Sequence, residues 1–300
     1  CVSCLVGSEM CIRDSVETEH FGRAAETCFV SQSAFSNAIQ ELENLLGARL
    51  VDRTNRSVTI TSMGQDVATQ ARLCLRDVEA LVDIAKGGQN PLTGELHLGV
   101  IPTIAPFMLP GVLPKLRRKF PELQLYLHEE QSQRIYDRLM DGELDLLLLA
   151  LPYDMRGVEI MPLFKDRFVL ANREGTDRVD PDNYRFNRLD ADSILLLEDG
   201  HCLRDHALAA CKIKNTEKVR RIGASSVLTL VEMVDADLGI TFLPEMARGS
   251  SILKSTRVRL TPLSDRSYRT IGLAWRKGTS RDDEFRMLGD YLTEQCQGQR

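Results

Sequence analysis

The chain changes its hydrophobic period once, at "GGQNPLTG", residues 87 to 94. Before that stretch apolar residues recur at helical spacing; after it, short apolar runs alternate with helical stretches. A Gly/Pro/Asn linker between two such patterns separates folding units, and 300 residues are more than one typical core holds. The net charge of −5 excludes bulk electrostatic attraction to nucleic acid or anionic membrane, so any contact with DNA must be local. No apolar run reaches the roughly 20 residues that span a bilayer, and no secretory signal is evident. The chain is therefore expected to be soluble and cytoplasmic, without a membrane partner, and its eight cysteines to start as thiols.

Residues 1–15, "CVSCLVGSEMCIRDS", lack an initiator Met and run into "VETEHFGRAAE" without a turn. They are read as a non-native segment, a translated cloning or assembly scar, against the alternative of a genuine first helix; Cys1, Cys4 and Cys11 are set aside with them. Over residues 16–61 the pattern is a helical pair followed by a wing. Phe21, Ala24, Ala25 and Cys28 form one apolar face. Ser31 can cap a second helix whose buried stripe is Phe35, Ile39, Leu42, Leu45 and Leu46, and Gly47 ends it. Such a helix-turn-helix presents its second helix to the major groove, here through Gln32, Ser33, Ser36, Asn37 and Gln40. "RLVDRTNRSVTITSMG" alternates like a two-stranded wing, with Arg53, Thr54 and Arg56 available for phosphate. Four arginines against six acids between Val16 and Thr61 make a poor basic footprint, and on pattern alone a helical hairpin that is merely core explains the stretch as well.

The order of these residues narrows the choice. "FGRAAETCFVSQSAFSNAIQELENLLGARLVDRTNRSVTITSMG" resembles the DNA-binding domain of the LysR-type transcriptional regulators, which reads AA, then VSQ, S, I, LE, LG, LF.R and a final T..G. The resemblance implies a winged helix-turn-helix at 16–61, its first helix overwritten by residues 1–15. A dimer-forming helix and linker at 62–90 would carry Val67, Ala71, Leu75, Val78, Leu81 and Val82 on one stripe. Ser33 departs from the proline that the family often has there.

Beyond the linker, "ELHLGVI", "LQLYLHE" and "LDLLLLAL" read as strands and "PFMLPGVLPKLRRKF" and "QRIYDRLMDG" as helices, a doubly wound parallel sheet. A second set follows: "FVLA", "ILLLE", the helix "HCLRDHALAAC", "VRRIGA", a helix over "SVLTLVEMVDAD", and "GITFLP". "YRTIGLAWR" and a last helix to about Gln295 return to the first set. The expected fold is thus an α/β effector domain at 91–300 of two Rossmann-like lobes, periplasmic-binding-protein-like. Lobe I takes 91–165 and 266–300, lobe II takes 166–265, and crossovers lie near Asp166 and Asp265. Ligands on such sheets sit beyond the carboxyl ends of the strands. Thr103 follows the first strand and Ser132 the second, so either two hydroxyls converge on one crevice or both are helix N-caps.

"EDGHCLRDHALAAC" holds Cys202 in the first turn of a helix entered through Asp199 and Gly200. There the helix dipole and Arg204 would favour a thiolate, with His201 and His206 adding charge if protonated, so a low Cys202 pKa is expected. Cys211 lies nine residues on, a rise of roughly 13.5 Å, while disulfide Cα atoms lie within about 7 Å. The two cannot bond while the helix is intact, which makes the spacing a poor structural disulfide and a good bistable switch. Cys202 and His206 share a helix face at i, i+4, but no second ligand pair completes a tetrahedral zinc site, and no metal or cofactor is expected. A thiol peroxidase, a regulator with inert cysteines that binds an organic effector, and two ordinary buried cysteines remain as alternatives.

"EDGHCLRD" with the second Cys, "IPTIAP", "YLHEEQS", "GITFLP" and "RTIGL" together resemble the peroxide-sensing activators of the LysR-type family over residues 16 to 295. That resemblance implies Cys202 as the peroxide-reactive cysteine and Cys211 as its resolving partner. Thr103, Ser132, His201, Arg204 and Arg269 would hold peroxide and stabilise charge; His206, from its place on the helix, is a further candidate for activating it, and Ser132 stands where such proteins commonly have Thr. It further implies a homodimer or homotetramer on promoter DNA, hydrogen peroxide as signal, recruitment of RNA polymerase and reduction by a thioredoxin or glutaredoxin-type reductant. Cys28, Cys74 and Cys296 carry no legible signal; the first two sit at helical core spacing.

Overall fold

The computed structural model describes residues 25, 30–53, 58–85, 91–181, 183–211, 218–220, 222–263 and 267–297. The segment 1–15, the first helix, Cys28, and the wing residues Thr54 and Arg56 lie outside them, as do the side chains of Arg53, Leu81 and Val82. The chain divides into two compact units, Cys1–Gln89 with Met140–Glu143, and Asn90–Leu139 with Leu144–Arg300.

In the first unit, helix α1 (Gln32–Leu46) starts at Ser31, whose hydroxyl accepts from the Ala34 amide, and stops at Gly47 in the left-handed region at φ 65°. Phe35, Ile39 and Leu42 are buried with Ala25, Leu50, Val51 and Ala68. Leu45 and Leu46 do not continue that stripe: they are 67% and 46% exposed. The helix ends under them, and the next apolar residues to enter the core are Leu50 and Val51 after the turn. The Glu43 carboxylate ties this turn by accepting from the amides of Leu50 and Val51 at 2.8 and 3.1 Å. Strands β1 (Val51–Arg53) and β2 (Val58–Ile60) pair antiparallel. The long helix α2 (Ser62–Ala85) follows, and the T..G pair at its start has a physical cause. Thr61 Oγ1 accepts from the Gly64 amide at 3.0 Å, and a Cβ on Gly64 would sit 2.1 Å from the Leu50 carbonyl oxygen. On α2, Ala71 is buried and Val78 is exposed.

The second unit is built on one sheet in the order β4 (Leu123–Glu129), β3 (Gly94–Val100), β5 (Leu146–Leu151), β9 (Tyr268–Arg276), β6 (Val158–Arg173), β7 (Thr241–Pro244), with β8 (Val258–Pro262) also paired to β6. Strands β3, β4 and β5 are parallel, as the βαβ pattern requires, joined by α3 (Ala105–Lys119) and α4 (Ser132–Met140). Every residue of β5 is buried. The sheet is not parallel throughout. Strand β9 enters antiparallel to β5, and the 16-residue β6 lies antiparallel to β9, β7 and β8. Because β6 pairs β9 along its first half and β7 and β8 along its second, it carries the chain from lobe I into lobe II.

In lobe II, the described residues of "ILLLE" and "VRRIGA" form no regular strands. They make isolated parallel bridges, Ile194 with Val219 and Ile240, and Leu197 with Ala224. The ladder survives in fragments, with Ile194 N donating to Lys218 O and Glu198 N to Ala224 O at 2.8 and 3.0 Å. The core here joins Val169, Leu170, Leu195, Leu197, Leu203, Val231 and Phe242, against helices α5 (Cys202–Ala210), α6 (Val227–Asp235) and the one-turn α7 (Ser251–Lys254). Helix α8 (Asp282–Gln297) closes the chain. No helix among the described residues is long and apolar enough to cross a membrane.

Candidate functional site

The carboxyl ends of β3 and β4 deliver the two hydroxyls that the sheet topology predicts. Thr103, in the turn after β3, is buried, and Ser132, the first residue of α4, is buried too. Neither hydroxyl is seen capping its helix. Thr103 Oγ1 accepts from Arg269 Nη1 at 2.9 Å, while the Thr103 carbonyl accepts from Arg269 Nη2 at 2.8 Å. Ser132 Oγ is buried, and its hydrogen bond with the Cys202 thiol pulls the thiol pKa down.

Arg269 is the centre of this arrangement. It lies on β9 directly opposite Asp166 of β6, and its Nε donates to Asp166 Oδ2 at 3.0 Å with both side chains buried. The other carboxylate oxygen accepts from the Met246 amide at 3.2 Å, and Arg269 Nη2 lies 3.7 Å from Met246 Sδ. A buried guanidinium is tolerated only with its donors satisfied, and Asp166 and Thr103 satisfy its Nε, Nη1 and Nη2. Asp166 was legible in the sequence only as a crossover point; nothing local marks it as the counter-ion of a residue 103 positions away.

Cys202 begins α5, as its spacing predicts, and is 7% exposed. The loop before it needs Gly200: φ is 94°, and a Cβ there would stand 2.7 Å from Gln131 Oε1. The expected lowering of the thiol pKa is not what the surroundings produce. Burial pushes it up and outweighs the downward pull of the Ser132 hydroxyl, the Arg269 guanidinium and the Ala150 backbone, while Asp205 adds to the rise. Arg204 does not serve the thiol, because its Nε pairs with Asp199 at 3.0 Å and its Nη1 donates to Leu197 O at 3.1 Å, which ties down the loop entering the helix. His201 is buried beside it and makes no side-chain cap hydrogen bond. Nor does His206 add charge: burial holds its pKa below the usual value, and its Nε2 donates to the Pro152 carbonyl at 3.0 Å.

A cleft of about 390 Å³ opens beside the thiol, lined by Cys202, Asp205 and His206 of α5 and by Gln133, Tyr153 and Asp154. Tyr153 was not anticipated. Its pKa is raised by burial first and by the neighbouring Cys202 second.

Cys211 caps the other end of α5, its amide donating to Ala207 O at 2.9 Å. Its side chain packs against the apolar core of lobe II along with Tyr184 and Phe186, and burial alone pushes its thiol up to about 12. With α5 intact the two thiols stand at opposite ends of a nine-residue helix, and both are free. Cys74, expected at core spacing, is exposed. No group of three or more His, Cys, Asp or Glu side chains among the described residues is placed to hold a metal ion.

On α1, Gln32, Ser33, Asn37 and Gln40 are exposed and Ser36 is half-buried. They share the outward side, opposite Phe35, Ile39 and Leu42, with Ser31 and Ser33 hydroxyls 3.0 Å apart at its start.

Comparison with known proteins places both units. Residues 11–65 match the bacterial regulatory helix-turn-helix protein, lysR family, and residues 89–297 match the LysR substrate binding domain. The first match begins inside the segment read as non-native. The HTH-type transcriptional regulator EstR of Acinetobacter baylyi is 42% identical over 278 residues, covering 92% of each chain. The hydrogen peroxide-inducible genes activator of Escherichia coli is 36% identical over 282 residues, 94% of this chain and 92% of that one. The full-length OxyR structure from Pseudomonas aeruginosa is 31% identical, covers 96% of this chain and 94% of its own, and superposes with a TM-score of 0.80. The helix-turn-helix unit, the two-lobed α/β unit and these relatives together identify the chain as a member of the LysR family of DNA-binding transcriptional regulators, not an enzyme.

Proposed function

We propose that this regulator senses hydrogen peroxide through reversible formation of a Cys202–Cys211 disulfide and so controls oxidative-stress genes. The observation that carries the reading is the setting of Cys202. A thiol at a helix start has beside it a buried hydroxyl, Ser132, and a buried guanidinium, Arg269, clamped on Thr103, and a second thiol stands at the far end of the same helix. Two hydroxyls and a cation around a reduced sulfur can hold a small neutral oxidant and stabilise the charge that develops when its O–O bond breaks. The sulfur becomes a sulfenic acid and the peroxide becomes water; the Cys211 thiol then condenses with it, releasing a second water. Since the bond cannot form across an intact α5, oxidation unwinds the helix and repacks lobe II.

In this reading repacking changes how a homodimer or homotetramer is spaced on promoter DNA and permits recruitment of RNA polymerase. A thioredoxin or glutaredoxin-type reductant resets the switch. Gln32, Ser33, Ser36, Asn37 and Gln40 read base edges, while Arg53, Thr54 and Arg56 grip phosphate. The identity with a hydrogen peroxide-inducible genes activator supports the signal.

The test is mass spectrometry of the reduced protein before and after stoichiometric peroxide, with mapping of both cysteines. A rapid Cys202–Cys211 disulfide is expected. A second reading, an organic effector bound with the cysteines inert, is favoured by one observation: the cleft at Cys202 is about 390 Å³, far more than peroxide needs. Absence of oxidation at Cys202 would decide for it.

A further inference from the structure

A buried thiol whose proton is held by desolvation is a weak nucleophile, because the thiolate is the attacking species. Something must take the proton as sulfur attacks, and Arg269 has no lone pair to accept it. His206 does. It stands four residues after Cys202 on the same face of α5, and both line the one cleft. Its tautomer follows from its one hydrogen bond among the described residues. The partner is the Pro152 carbonyl, which can only accept, so Nε2 carries the proton and Nδ1 is left with its lone pair. That Nδ1 is buried and has no hydrogen-bond partner among the described residues. Cys202 and Asp205 on its own helix, Gln133 of α4, and Tyr153 and Asp154 after β5 line the same cleft as His206, and Arg269 from β9 acts on its charge. Burial, with Arg269 adding to it, keeps the ring neutral and able to accept.

We propose that His206 is the proton acceptor of the Cys202 thiol, through Nδ1. The inference rests on the peroxide-reactive reading of Cys202. The S–H bond breaks, its electron pair staying on sulfur and its proton going to Nδ1. Sulfur bonds to one peroxide oxygen, the O–O bond breaks with its pair leaving on the other, and the imidazolium returns the proton to that oxygen. Cys202 is oxidised to a sulfenic acid, peroxide is reduced to water, and His206 ends as it began. In the fully reduced state the same acceptor ionises the thiol toward any electrophile.

The experiment measures two rates on the full-length reduced protein between about pH 5 and pH 8: oxidation of Cys202 by hydrogen peroxide, and its alkylation by iodoacetamide. His206→Gln can still donate to the Pro152 carbonyl but cannot accept a proton. Wild type should lose both rates as pH falls through the lowered His206 pKa. His206→Gln should be slower by about 10²-fold at neutral pH and lack that acid limb. His206→Ala with added imidazole should recover much of the lost rate, which a packing defect would not. Equal rates and pH profiles for wild type and His206→Gln would overturn the proposal, as would a loss that imidazole does not restore. If wild-type Cys202 is alkylated with the His206-dependent profile yet ignores peroxide, the sensor reading fails and the proton acceptor stands.

Discussion

The two ends of helix α5 hold the same functional group in opposite settings. At the start, the Cys202 thiol is desolvated but set among Ser132, Arg269, Tyr153 and His206 at the wall of a cleft. At the end, the Cys211 thiol packs against the apolar core of lobe II, and burial is the only influence moving its pKa. One sulfur meets polar groups that can act on it; the other is partly buried against apolar side chains. In the proposed switch a single helix would separate attack from resolution.

The largest effect should come from breaking the polar end. Arg269→Met would strand the buried Asp166 carboxylate and remove the donor to Thr103, at a cost of about 3–5 kcal/mol in stability. Urea denaturation of the reduced protein measures this; a change below about 1 kcal/mol would mean that the pair is solvated.

The apolar end should show itself in alkali. Folding raises the Cys211 pKa from 9.0 to about 12, so the folded state binds the proton more tightly. The stabilisation this gives is complete below about pH 9 and is lost as pH rises toward 12. Cys211→Ala should therefore flatten the fall in stability across that window, by at most about 1.4 kcal/mol per pH unit. Denaturation midpoints at stepped pH test it, and identical slopes for both proteins would show that Cys211 is already exposed.

The smallest effect belongs to Tyr184, whose ring packs edge-on against Phe242 at 6.1 Å and whose buried hydroxyl has no hydrogen-bond partner among the described residues. Tyr184→Phe keeps the ring and removes the unmet hydroxyl, so it should be neutral or stabilise by about 1 kcal/mol. By strengthening the apolar store around Cys211 it should also slow disulfide formation without changing Cys202 oxidation. A slower Cys202 step would show that the two ends are not independent.

Much of this molecule could be read without coordinates, because it depends on residues close in sequence. The period change at residues 87–94, the Ser31 and Gly47 helix limits, and Cys202 in the first turn of α5 are set by caps and spacing within a turn or two. Where the same logic failed, neighbours from afar had taken over. Leu45 and Leu46 fit the stripe of α1 but point away from a core that Leu50 and Val51 fill instead. Helix dipole and nearby cations predicted a low Cys202 pKa, yet the nearest cation, Arg204, is spent on Asp199 and Leu197, and the acting one is Arg269. That guanidinium reaches the site only because β9 lies antiparallel to β6 in a register that sets it opposite Asp166. Local propensities and the helical repeat belong to the sequence by itself; desolvation and charge pairing are summed over everything packed around a group, and only the tertiary structure decides what that is.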